Sequence, residues 1–200
     1  MNRFKHRKNK VLRFSGLNRP SAKFAPDAAL EAYPLDIDLL VPGLRASNKI
    51  GAIKQLVDRL HRRGFIGDSL QFLQSVLERE NLESTILAEG VALPHARCHS
   101  VHRLGLAVGV TQPPLEYPSG DDVGRIPVIC LIAVPADAPS RYLDLMGLLA
   151  HRLSHAEIRA GLRAATTATE LQALLARPYP CYGCQTAPGT LSGTPSCEEM

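Results

Sequence analysis

Two aliphatic runs, Leu104 to Val110 and Ile126 to Val134, constrain this chain more than any other feature. They are nearly continuous rather than alternating, and rich in Val, Ile and Leu. That is the pattern of strands buried on both faces. Helical patterns flank them. Ser47 can cap a helix whose apolar positions Ile50, Ile53, Leu56, Val57 and Leu60 recur at helical spacing, with Gly64 ending it. Asp68 can cap a second helix through Leu70, Leu73, Val76 and Leu77. Val91 to Leu93 reads as a short strand. Ser140 to Leu153 reads as a helix through Leu143, Met146, Leu149, Ala150 and Leu153, and shorter helices are expected at Ala156–Arg163 and Ala168–Leu175. Strands covered on both faces by helices imply an α/β protein, a three-layer α/β/α sandwich with a mixed central sheet.

The two ends differ from this middle. Eight cationic residues from Arg3 to Lys23 precede the first acid, Asp27, so the net charge of +4 divides into a basic arm and a remainder at −4. The arm lacks the aromatic or amphipathic pattern of a nucleic-acid or membrane-surface segment, and a solvated tail is expected. From Pro178 the chain is rich in Pro, Gly, Ser and Thr, a composition that buries too little apolar surface to offset chain entropy. The expected organisation is an arm over residues 1–34, one domain over 35–177 and a low-complexity tail over 178–200. No stretch approaches the roughly 18 apolar residues of a membrane span, and the start lacks the apolar core of a secretory signal. A cytoplasmic protein is expected, with no direct membrane insertion and no nucleic-acid partner.

The stretch Gly90-Val-Ala-Leu-Pro-His95-Ala-Arg97 holds the candidate chemistry. Pro94 fixes its own φ and drives Leu93 towards an extended conformation, so a strand ends sharply with His95 exposed at its tip. A neutral imidazole there can act as nucleophile or base near pH 7. The residues alone go no further, since a single histidine at a strand end is more often an ordinary surface group.

Leu77-Glu78-Arg79-Glu80-Asn81-Leu82-Glu83-Ser84-Thr85, followed by Leu93-Pro94-His95-Ala96, resembles the fructose/mannitol-type enzyme IIA of the bacterial phosphotransferase system. The similarity runs on through Gly105 to Val110, Pro127 to Asp137 and the helix end Leu149-Ala-His-Arg-Leu153, about residues 35 to 176. The resemblance implies that His95 is the phospho-acceptor, charged by the carrier HPr and discharged to a IIB domain or acting on a regulated target protein. It implies that Arg79 lies beside that histidine, where a guanidinium donates paired hydrogen bonds to phosphate. A phosphoramidate donor needs no nucleotide, and no cofactor is expected; the chain carries no Walker-type loop. Where the family commonly has a second histidine followed by leucine, this chain has Tyr142-Leu143. A phenol can hydrogen-bond a phosphoryl oxygen but cannot supply an imidazolium. With no fused partner domain expected, this leans towards the regulatory, nitrogen-related branch of the family. A sugar-uptake IIA component and a degenerate binding module without phosphorylation remain as alternatives.

Other groupings carry competing readings. His95, Cys98, His99 and His102 would share one face if their segment were helical, as zinc ligands could. The space between two strands is short for such a helix, and no metal is expected. Cys181-Tyr-Gly-Cys184 and Cys197 lie in the tail, where inert thiols are the expectation. Cys130 reads as a small core residue, and His151 and His155 as helix-surface or capping residues. On sequence, the bland reading of Arg79 is an ion pair with Glu78 or Glu80.

Overall fold

The computed structural model describes residues 33, 35–88, 90–119, 122–137 and 139–176. Apart from Tyr33, which packs against the core, both expected tails, and Cys181, Cys184 and Cys197 with them, lie outside the described residues. A 3-10 turn at Ile37–Leu39 leads into β1 (Leu40–Val41), then α1 (Lys49–Arg62) and α2 (Ser69–Leu82). Next come β2 (Ile86–Ala88), β3 (Val91–Ala92), β4 (His95–Cys98), β5 (Gly105–Ser119) and β6 (Asp122–Pro135). Three helices close the described chain: α3 (Pro139–Ser154), α4 (Ala156–Ala164) and α5 (Ala168–Ala176).

The strand order is β1-β5-β6-β3-β2, with β4 also on β6. β5 and β6 form an antiparallel hairpin, β1 lies parallel to β5, and both β3 and β4 lie parallel to β6. The sheet is mixed, as the sequence implied. β6 explains its continuous apolar run: Ile129, Leu131 and Ala133 point into the layer with α1 and α2, while Val128, Cys130, Ile132 and Val134 point into the layer with α3, α4 and α5. All seven are fully buried.

Several local expectations shift. α1 is capped by Asn48, whose side chain accepts from the Gly51 amide at 2.8 Å, one residue later than Ser47. Asp68 caps α2 as expected, accepting from the Leu70 and Gln71 amides. The buried stripe of α2 is Phe72, Val76 and Glu80, whereas Leu70 is exposed. The stripe keeps strict i, i+4 spacing but ends on a carboxylate; of the expected apolar positions Leu73, Val76 and Leu77 do meet the core, and the pattern misses Phe72 and Glu80. On α1, Ile50 is likewise exposed while Ile53, Leu56, Val57 and Leu60 are buried. β5 runs nine residues past Val110, through Pro113, Pro114 and Pro118. The pairing with β6 shifts register between Val110 and Leu115. An irregular edge of this kind is where a strand tolerates prolines.

Candidate functional site

Pro94 does interrupt a strand, but His95 is not an exposed tip. The chain resumes at His95 as β4, registered with Ile132 on β6, and the histidine is half-buried. Pro94 has no N–H to give, yet its carbonyl accepts from the Ile132 amide at 3.0 Å, so the ladder continues across the break. The Leu93 amide donates to the Thr85 carbonyl at 2.9 Å. The Leu93 carbonyl lies 2.9 Å from His95 Nδ1. A carbonyl can only accept, so Nδ1 carries the proton and Nε2 keeps its lone pair.

Along β4 the side chains alternate. Ala96 and Cys98 go into the core with α1 and α2, leaving His95 and Arg97 on the opposite face. Tyr142, in the first turns of α3, meets both. Its ring centroid is 5.6 Å from that of His95, and the Arg97 guanidinium carbon lies 5.7 Å from the phenol centroid. Burial pushes the Tyr142 phenol above its usual range, while the charges of Arg79 and Arg97 pull it down. His95 is held below the ordinary histidine value by burial. The Leu93 hydrogen bond opposes that shift, Arg79 adds to it and Glu80 acts against it. Arg79 thus makes its charge felt at the imidazole. Its ion pair is with Glu83, 3.9 Å away, and it also donates to the Glu83 carbonyl at 3.2 Å; Glu78 and Glu80 are not its partners.

Glu80 points inward. Its carboxylate is almost wholly buried, accepts from the Thr85 hydroxyl and lies 3.6 Å from the Lys49 ammonium. Lys49 donates to the Pro118 carbonyl at 2.7 Å and sits 4.7 Å from the ring centroid of buried Tyr117. Burial and the Glu80 charge together push the Tyr117 phenol far up, so it stays neutral. Through Thr85 this buried group reaches Leu93, and through Leu93 it reaches His95. Sequence reasoning gave no role to Lys49, Tyr117 or Arg97. Arg97 could have been found by reading His95–Cys98 as a strand, because residues two apart then share a face. Lys49 and Tyr117 come from distant segments and carried no local signal.

The helical reading of His95, Cys98, His99 and His102 fails on the same geometry. On a strand, His95 and Cys98 face opposite ways, and Cys98 is buried. Among the described residues no group of three or more His, Cys, Asp or Glu is placed to hold a metal ion. His151 and His155 meet edge-to-face at 5.2 Å at the α3–α4 junction, with His155 at the start of α4. Cys130 is buried mid-strand, as expected, and burial pushes its thiol up to about 12.

Residues 34–177 match the model of the family described as "Phosphoenolpyruvate-dependent sugar phosphotransferase system, EIIA 2". The chain belongs to that family. It is 34% identical over 139 residues to the 2-O-alpha-mannosyl-D-glycerate-specific EIIABC component of Escherichia coli, covering 69% of this chain and 21% of that one. It is 32% identical over 143 residues to the multiphosphoryl transfer protein of Salmonella typhimurium, covering 72% of this chain and 37% of that one. The chain thus spans only a minor part of either relative. Among solved structures, the nitrogen regulatory protein IIA-Ntr from Neisseria meningitidis superposes with a TM-score of 0.66 at 26% identity, over 73% of this chain and 99% of that one. IIA mannitol from Escherichia coli shares the fold, with a TM-score of 0.60 at 22% identity, over 72% of this chain and 99% of that one. A type-2 IIA protein is a phosphotransferase-system component, and no helix among the described residues is long and apolar enough to cross a membrane.

Proposed function

We propose that this IIA-family chain is a cytoplasmic phosphoryl carrier, with His95 Nε2 taking a phosphoryl group from the phosphohistidine of HPr. The observation that carries this reading is the Nδ1 contact with the Leu93 carbonyl, which leaves Nε2 as the free nucleophile. In the transfer, the Nε2 lone pair forms a bond to phosphorus as the donor's P–N bond breaks, its electron pair returning to the donor nitrogen. The proton stays on Nδ1, hydrogen-bonded to the Leu93 carbonyl throughout, so His95 needs no base. Arg79 offsets charge on the equatorial oxygens, and alignment supplies the rest.

Downstream, we favour the regulatory, nitrogen-type role over sugar transport. Tyr142 supports it: the group packed on His95 is a phenol held neutral, which hydrogen-bonds a phosphoryl oxygen without offering an imidazolium during discharge to a IIB domain. The sugar-uptake reading is the second one, and the sugar-specific relative at 34% identity favours it.

Incubation with phosphoenolpyruvate, enzyme I and HPr should add one acid-labile, alkali-stable phosphoryl group, and His95→Ala should abolish it. Undiminished labelling of that variant overturns the assignment. With a single IIB protein as acceptor, Tyr142→His should speed discharge more than charging. Equal discharge by both proteins would move the transport reading to first place.

A further inference from the structure

We propose that Arg97 is a second phosphate-binding guanidinium of the His95 site, joining Tyr142 where a cationic imidazole would otherwise face the phosphoryl group. The inference rests on the reading of His95 as phosphorylated. Three observations point the same way. First, Arg97 follows His95 by two residues on β4, so both side chains leave the same face, their backbones about 7 Å apart along the strand. Second, one phenol touches both: Tyr142 packs 5.6 Å from the imidazole and 5.7 Å from the guanidinium carbon. Third, Arg97 is exposed and, among the described residues, makes no side-chain hydrogen bond or ion pair beyond that ring contact.

The contrast with Arg79 sharpens the point. Arg79 is already engaged with the carbonyl and carboxylate of Glu83, so part of its donor capacity is spent inside the protein. Arg97 keeps its fork of donors for a ligand. The same two guanidiniums are the charges that act on the Tyr142 phenol. Two cations whose charges both reach a half-buried phenol repel each other until an anion joins them. A tetrahedral phosphoryl group on Nε2 is such an anion, and its three oxygens suit one hydroxyl donor and two guanidinium forks. The ring contact gives Arg97 a resting place from which the guanidinium moves onto phosphate.

The test uses the full chain as wild type, Arg97→Gln and Arg97→Lys. Each is phosphorylated in two ways: by the HPr relay, and by potassium phosphoramidate without any protein donor. The charging rate from phospho-HPr is measured, and the phosphohistidine mapped to His95 is titrated by phosphorus NMR. Arg97→Gln should slow charging roughly 100-fold and raise the titration midpoint of the phosphoryl group, with Arg97→Lys recovering most of the midpoint. Melting temperature should not move. An Arg97→Gln protein that charges within about twofold of wild type, with an unchanged midpoint, overturns the inference. If wild type is labelled at His95 by phosphoramidate but not by HPr, the carrier reading fails, and the midpoint comparison alone still decides Arg97. If neither reagent labels His95, both fall.

Discussion

On the proposed reading His95 reacts through a neutral nitrogen, and its surroundings keep it neutral further into acid than a free histidine. Burial lowers its pKa, and the charge of Arg79 adds to that. Phosphoryl acceptance should therefore persist below pH ~6.5, the ordinary histidine value, and fall only as pH drops through the lowered value. Two neighbours should move the midpoint in opposite senses. Arg79→Gln removes a repelling cation, so the His95 titration followed by nitrogen NMR should shift up while charging slows. Glu80→Gln removes an attracting anion, so the same titration should shift down. A midpoint unmoved by either change would mean that neither charge is felt at the ring. Little of this was readable in advance. Arg79, His95 and Tyr142 were located by resemblance; Glu80 was part of the matching motif, but nothing in sequence showed a carboxylate turned inward.

Among the elements, β5 shows how closely the first helical layer approaches the sheet. A Cβ at Gly105 would lie 2.6 Å from Phe65 Cδ1 and 3.0 Å from Leu60 Cδ2, and Arg103 stacks 3.8 Å over the same phenyl ring. The ring cannot yield without losing that stack. Gly105→Ala should cost about 1–3 kcal/mol, read as a lower urea midpoint at an unchanged slope. Full stability in that variant would show that Phe65 repacks freely. The helices and the two buried runs were legible because their periodicity spans several turns or a full strand. The outer half of the β5–β6 hairpin was not, since Pro113, Pro114 and Pro118 read as a loop in sequence. β4 was hidden for a related reason: four residues after a proline carry too short a pattern to announce a strand.

The molecule as a whole is two apolar layers divided by one sheet, and β6 belongs to both. Cys130 sits at its middle, fully buried, with its thiol pushed up to about 12. Alkylation requires thiolate and access, so peptide mapping should find Cys130 unmodified in the folded protein and labelled once denatured. Labelling under native conditions would mean that the sheet opens locally. The three-layer class followed from sequence because an aliphatic run buried on both faces has few other homes. Which strand neighbours which did not follow, because pairing joins segments far apart and no local pattern records it.

The carbonyl just before His95 is tied to the Ile132 amide of this shared strand. That bond breaks only if β4 peels away from β6. In heavy water, the Ile132 proton should be among the last to exchange, at a rate set by unfolding of the entire chain rather than by breathing near the site. The backbone beneath His95 is thereby held as part of the sheet. If a partner docks at His95 as proposed, it meets a strand held by the sheet, and accommodation at that encounter falls to the visitor or to the long, exposed side chain of Arg97.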